Sequence, residues 1–319
     1  MSQPAIASIP ALDPGKFNHP DRTAKGEPRA VVALTQLRTL WFNTGSLCNI
    51  TCKNCYMESS PTNDSLVYIS AAEVDTYLEE IAGSEWPVEE IAFTGGEPFM
   101  NKDLLAMLEN TLSRGYRALV LSNAMKPLLN KRPGLSSLRD RHGDALTIRV
   151  SIDHYTPEHH EKIRGEDTWK PMMQGLHWLS QNGFNLAAAG RTMWGEDVEI
   201  ARKGYADLFL REGISVDPND PVQLVLFPEM DDTQDVPEIT VHCWDILGVR
   251  PESMMCSTAR MVVKRRGADA PTVVPCTLLP YDAQFELGQR LSDGGRSVKL
   301  NHPHCARFCV LGGASCSAG

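Results

Sequence analysis

The sequence predicts an α/β fold: six β–α units around a parallel sheet, closed or partly closed into a partial (β/α)6 TIM-like barrel, with a small C-terminal cysteine-rich β-hairpin domain. Three observations predict it. Strand-like and helix-like runs alternate from about residue 37 to 228, glycines stop several of the helices, and beyond about residue 236 the rhythm gives way to cysteines around a hairpin pattern.

Leu37–Asn43 reads as the first strand and Ala71–Ala82 as the helix that follows. Glu90–Phe93 is a short strand leading to a helix near Lys102–Arg114, which ends at Gly115. Ala118–Leu121 and Thr147–Ile152 are the next β-rich runs, separated by a segment containing Pro127, Pro133 and Gly134. Helix-like Trp169–Asn182 stops at Gly183; strand Asn185–Ala189, a helix near Val198–Glu212 and strand Val222–Phe227 complete the set. No short-period internal repeat is present. The division expected is a flexible arm over the barrel at 1–36, the barrel at 37–235 and a cysteine-rich unit at 236–319. On such barrels ligands sit at the C-terminal ends of the strands.

The chain has 319 residues, 42% hydrophobic and 22% charged, which suits one large α/β domain with a small appendage. A formal net charge of −9 argues against nucleic-acid binding, which needs clustered Lys and Arg. The compact basic group Lys264-Arg265-Arg266 reads as a solvated hairpin face. No apolar run approaches the roughly 20 residues that span a bilayer, so no membrane partner is expected. Nine cysteines without a secretory signal point to the cytoplasm, and to ligands rather than disulfides.

Cys48, Cys52 and Cys55 lie in the run Cys48-Asn49-Ile50-Thr51-Cys52-Lys53-Asn54-Cys55, just after the first strand. This spacing folds three thiolates around one small volume and supplies no fourth. Soft thiolates favour iron–sulfur clusters or zinc, and three of them leave one iron of a 4Fe–4S cluster open for something other than protein. A structural zinc knuckle is the alternative.

The run resembles the signature of the radical S-adenosylmethionine (radical SAM) enzymes. The resemblance implies that S-adenosylmethionine chelates the open iron. One electron, from a low-potential donor such as flavodoxin or ferredoxin, then cleaves it to a 5′-deoxyadenosyl radical that abstracts hydrogen from substrate. It also assigns roles at later strand ends. In Thr94-Gly95-Gly96-Glu97-Pro98 the segment Gly95, Gly96 and Glu97 would bind the methionine amino group, although an isolated Gly-Gly pair is usually a turn. Ser122, Asn123 and Ser151 would contact the ribose or the sulfonium, with Asp153 either joining them or capping a helix. Arg191 would pair with the methionine carboxylate, where a planar guanidinium suits. Phe227-Pro228-Glu229-Met230 would lie by the adenine. Asn54 stands where the family often has an aromatic residue, which leaves Tyr56 to pack on the adenine from the other side.

In the last third, Cys256 and Cys276 flank a hairpin with the basic turn Lys264–Gly267, and Cys305, Cys309 and Cys316 follow. This resembles the auxiliary-cluster domains called SPASM and, in the shorter single-cluster form, Twitch. The resemblance implies one auxiliary 4Fe–4S cluster on Cys256, Cys276, Cys305 and Cys309, with Cys316 able to replace one of them. Cys243 reads as a buried thiol; zinc on the same thiolates is the alternative. His302 and His304 are expected in packing. The expected function is radical SAM catalysis on an unknown small molecule or peptide, with an iron–sulfur electron carrier or regulator as the competing reading. The sequence singles out no catalytic side chain.

Overall fold

The structure, a computed structural model, describes residues 10–229 and 231–316. After a two-residue strand β1 (Val31–Val32), six parallel strands follow in chain order: β2 (Thr39–Asn43), β3 (Glu90–Thr94), β4 (Arg117–Ser122), β5 (Leu146–Ser151), β6 (Asn185–Arg191) and β7 (Leu224–Phe227). Two more strands, β8 (Ala259–Val263) and β9 (Thr272–Val274), extend the same sheet, whose order is β7-β6-β5-β4-β3-β2-β8-β9. β8 runs parallel to β2, and β9 returns antiparallel to β8. The first strand of the cysteine-rich hairpin is thus a further stave on the barrel sheet. Its end strands are β7 and β9, so the sheet is a partial barrel.

Strand alternation sorts the core into two layers. Leu40, Phe42, Ile91, Phe93, Val120, Ile148 and Val150 face the helices, in one apolar cluster. Trp41, Ala92, Leu119, Ala189 and Phe227 face the interior and join a second cluster with Met255, Cys256, Met261, Cys276, Cys305 and Phe308. The cysteine-rich third therefore packs on the inner face of the barrel.

The covering helices include α1 (Ala71–Ala82), α2 (Leu104–Ser113), α3 (Lys126–Leu129), α4 (Arg132–His142), α5 (Pro157–Arg164), α6 (Trp169–Gln181) and α7 (Val198–Glu212). The N-terminus of α1 is set by a capping box between Ser70 and Glu73. The sequence reading left 126–142 as a separating segment and assigned nothing to 157–164. Pro127, Pro133 and Pro157 each stand in the first turn of a helix, where a missing N–H breaks no bond.

A short α8 (Cys243–Leu247) and the strand β10 (Val298–Lys299), antiparallel to β1, belong to the last third. From residue 10 the N-terminal segment has fixed partners there. Leu12 donates to the Thr233 carbonyl, and Lys16 pairs with Asp235 at 2.7 Å. The buried Arg29 pairs with Glu238 at 2.6 Å. Lys264, Arg265 and Arg266 are each matched to a carboxylate, on Glu73, Glu286 and Asp64. No described helix is long and apolar enough to cross a membrane.

Candidate functional site

The C-terminal ends of the barrel strands open on a cleft with roughly 820 Å³ of empty space. Cys48, Cys52 and Cys55 line it together with Tyr56, Gly95, Gly96, Ser122, Asn123, Ser151, Asp153 and Arg191. These side chains come from the loop after β2 and from the ends of β3, β4, β5 and β6.

Backbone bonds fix the cysteine loop. Lys53 N–H donates to the Ile163 carbonyl at the end of α5, and Cys48 N–H to the Ser60 carbonyl. Burial pushes the Cys48 thiol up to about 12 and Cys52 to about 11, because a thiolate is poorly solvated there. A metal that replaced those protons would supply the missing positive charge. Asn123 Nδ2 sits 2.9 Å from Asn49 Oδ1 and 3.8 Å from Cys48 Sγ, which ties the end of β4 to the loop.

The glycine pair has a tighter reason than ligand access. A Cβ on Gly95 would meet the Gly45 carbonyl oxygen at 2.5 Å, and one on Gly96 would meet that of Leu47 at 2.1 Å. The loops after β2 and β3 touch there through backbone alone. Glu97 is absent from the cavity lining and 1% exposed. Its carboxylate accepts from the Phe99 and Asn123 amides at 3.2 and 2.9 Å and from Ser122 Oγ at 2.9 Å. Burial pushes its carboxyl up to about 7 against those bonds. As placed, Glu97 positions Ser122 and Asn123.

Arg191 is buried, with Nη2 on the Asn54 carbonyl at 3.2 Å and 3.6 Å from Glu229. Its Nε has no hydrogen-bond partner. Arg164, on the helix the sequence reading lacked, also lines the cleft and pairs with Asp153 at 3.0 Å. Burial alone would lower its pKa, but Asp153 and Cys52 outweigh that and hold it above the usual range. Beyond Asp153, Tyr155 OH donates to Glu196 at 2.9 Å, and His154 stacks between Tyr155 and His159. Asp153–Arg164 and the His154 stack lie within the single β5–α5 unit, whose helix the sequence reading lacked, and Tyr155–Glu196 joins that unit to the loop after β6. Tyr56 lines the cleft and is driven towards its neutral form by burial. Phe227 lines it too, while Met230 lies outside the described residues.

A second cavity, with about 350 Å³ of empty space, is lined by Cys256, Cys276, Cys305 and Cys309. The rest of its wall is Met254, Met255, Leu278, Leu279, Val298 and Leu300. Burial raises all four thiols, Cys256 to about 11. Cys316 is not in this wall. Its sulfur accepts from Thr277 Oγ1 at 3.3 Å, and its carbonyl accepts from the buried Arg149 at 2.9 Å. Cys243 is half-buried, against the backbone of Thr240. His302 and His304 stack on each other beside Phe285. Among the described residues no three His, Cys, Asp or Glu side chains stand at single-ion geometry.

The fold and cleft define a class: partial α/β barrels with a three-thiol loop after the first barrel strand. The barrel is that of the Radical SAM superfamily, whose family model matches residues 42–196. Curated relatives include an AdoMet-dependent heme synthase of Oleidesulfovibrio alaskensis, 25% identical over 54% of this chain and 41% of that protein. A GTP 3′,8-cyclase of Rhodococcus opacus is 27% identical over 53% of this chain and 47% of its own. The matched region thus spans less than half the length of either relative. Among solved structures, Streptococcus suis SuiB bound to S-adenosylmethionine superposes with a TM-score of 0.58 at 10% identity, covering 80% of this chain and 63% of that one. Native anSMEcpe with bound AdoMet gives 0.56 at 14%, covering 80% and 79%. Both likenesses are of fold.

Proposed function

We propose that this chain is a radical SAM enzyme with two iron–sulfur sites, acting on a small molecule or a peptide. The observation that carries it is the cleft, where three thiols, the glycine pair and a buried arginine with an unpartnered Nε share one wall. The donor set fits the cofactors. Cys48, Cys52 and Cys55 would hold a 4Fe–4S cluster, and Arg191 would receive the methionine carboxylate of S-adenosylmethionine. The Gly95–Gly96 backbone would lie against the amino group, with Ser122, Asn123 and Ser151 supplying polar contacts and Tyr56 an apolar face. When bound, that pair of cofactors supplies one-electron hydrogen-abstraction chemistry.

The chain's own residues orient and shield. Glu97 holds Ser122 and Asn123 in place, the Asp153–Arg164 pair ties the end of β5 to α5, and α5 holds the cysteine loop through Lys53 N–H on the Ile163 carbonyl. The second cavity would take an auxiliary cluster on Cys256, Cys276, Cys305 and Cys309, whose apolar wall excludes water. A low-potential carrier such as flavodoxin or ferredoxin would supply electrons. A peptide substrate draws support from two fold neighbours solved with peptides, SuiB with its precursor peptide SuiA and anSMEcpe with the Cp18Cys peptide.

The test is anaerobic reconstitution with iron and sulfide, then chemical reduction with S-adenosylmethionine present. Wild-type protein should release 5′-deoxyadenosine, and Cys52→Ala should not. Fully loaded wild-type protein that leaves S-adenosylmethionine intact would instead mark an electron carrier.

A further inference from the structure

Arg260 lies on β8, four residues after Cys256, and is fully buried. Its guanidinium is held by backbone carbonyls: Nε donates to Gly294 at 2.6 Å and Nη2 to Arg296 at 3.0 Å. Nη1 donates to Cys256 at 2.6 Å and to Ala259 at 2.7 Å. Burial disfavours its cation and lowers its pKa, and the sulfurs of Cys256 and Cys276 are the groups that act the other way. The first cleft differs. Its two arginines face carboxylates, Arg164 on Asp153 and Arg191 on Glu229. A buried cation is costly unless a negative group offsets it, and carbonyl dipoles offset only part.

We infer that Arg260 is the built-in counter-charge of the four-thiolate cavity, and that it raises the reduction potential of an iron–sulfur cluster held there. This rests on the reading that a cluster occupies that cavity. Adding an electron makes the thiolate–iron assembly more negative, so a fixed cation nearby stabilises the reduced form over the oxidised one. Net charge and hydrogen bonding at the sulfurs are the levers that set such potentials. Arg260 reaches the site through the backbone of Cys256 and is a positioning residue.

The experiment uses full-length chain with Cys48, Cys52 and Cys55 all replaced by alanine, reconstituted anaerobically so that the second site alone is read. Its potential is measured by redox titration with paramagnetic resonance detection. Arg260→Gln should lower the equilibrium constant for reduction about tenfold or more, which is about 59 mV for a one-electron couple. Arg260→Lys, which keeps the charge and loses the fork, should stay within about threefold of the parent. An unchanged constant in Arg260→Gln overturns the inference and leaves the second cluster standing. A parent that binds no iron overturns both. Should Arg260→Gln fail to fold, Arg260→Lys decides: a shift of about tenfold there means that geometry, rather than charge, sets the potential, and the inference falls.

Discussion

The two cysteine sites share a ligand chemistry and differ in everything around it. Around Cys48, Cys52 and Cys55 the wall carries Ser122, Asn123, Ser151, Asp153, Arg164 and Arg191, and two of the sulfur-bearing residues are partly exposed. Around Cys256, Cys276, Cys305 and Cys309 the wall is methionine, leucine and valine, and three of the four cysteines are fully buried. The first sets charged and hydrogen-bonding side chains beside the sulfurs. The second presents almost no polar side chain beside its sulfurs. Burial raises thiol pKa values at both sites, and it is the polarity of the wall that separates them.

The largest effect expected is on iron. Anaerobically reconstituted protein should hold about eight irons, and replacing either cysteine set with alanine should remove about four while leaving the others. Loss of all iron from either set would break the comparison at its root. Cys256→Ala should still yield 5′-deoxyadenosine under strong reduction while giving little substrate turnover, since uncoupled cleavage needs the first site alone.

Next comes the brace of the polar cleft. Asp153→Ala leaves Arg164 buried without its partner and should cost roughly 3–5 kcal/mol in denaturant unfolding. A cost below about 1 kcal/mol would show the pair to be solvated.

The buried carboxyl of Glu97 gives the polar site a pH signature. Its pKa is raised in the folded chain to about 7, so its contribution is full below the unfolded value near 4.5 and is lost as pH rises through about 7. Roughly 3 kcal/mol should disappear across that window, at about 1.4 kcal/mol per unit. Glu97→Gln should flatten the slope, as followed by unfolding at pH 5 and 7.5. An identical slope in the variant would mean that another group carries it.

Arg191→Ala should weaken S-adenosylmethionine binding by about ten- to a hundredfold, roughly 1.5–3 kcal/mol, with iron content unchanged. Normal affinity in equilibrium binding would move the carboxylate contact elsewhere in the cleft. The smallest effect is expected at Cys316, which lies outside the second cavity's wall. Cys316→Ala should keep all of the iron, and a loss of about four would recruit it as a ligand.

Local order made much of this legible from the sequence alone. The six barrel strands, the helices Ala71–Ala82 and Val198–Glu212, and the three-thiol loop follow from periodicity, glycine stops and short spacing, all of which act within about a dozen residues. The prolines at 127, 133 and 157 hid three helices, because a residue that ends most helices also begins them. One of those helices brings Arg164 into the cleft, 112 positions from its neighbour Cys52.

The sequence by itself determined the alternation of strands and helices, the three-thiol loop and the glycine pair, since each depends on neighbours along the chain. Only the tertiary structure decided that the buried Glu97 carboxylate accepts from Ser122 and Asn123, and that β8 joins the barrel at β2. It also decided that Cys256, Cys276, Cys305 and Cys309 share a cavity while Cys316 lies against Thr277. The physical reason is common to all three. They depend on which buried groups find partners across long loops, and a buried charge or thiol is placed by packing and hydrogen bonding that spacing in the chain does not encode.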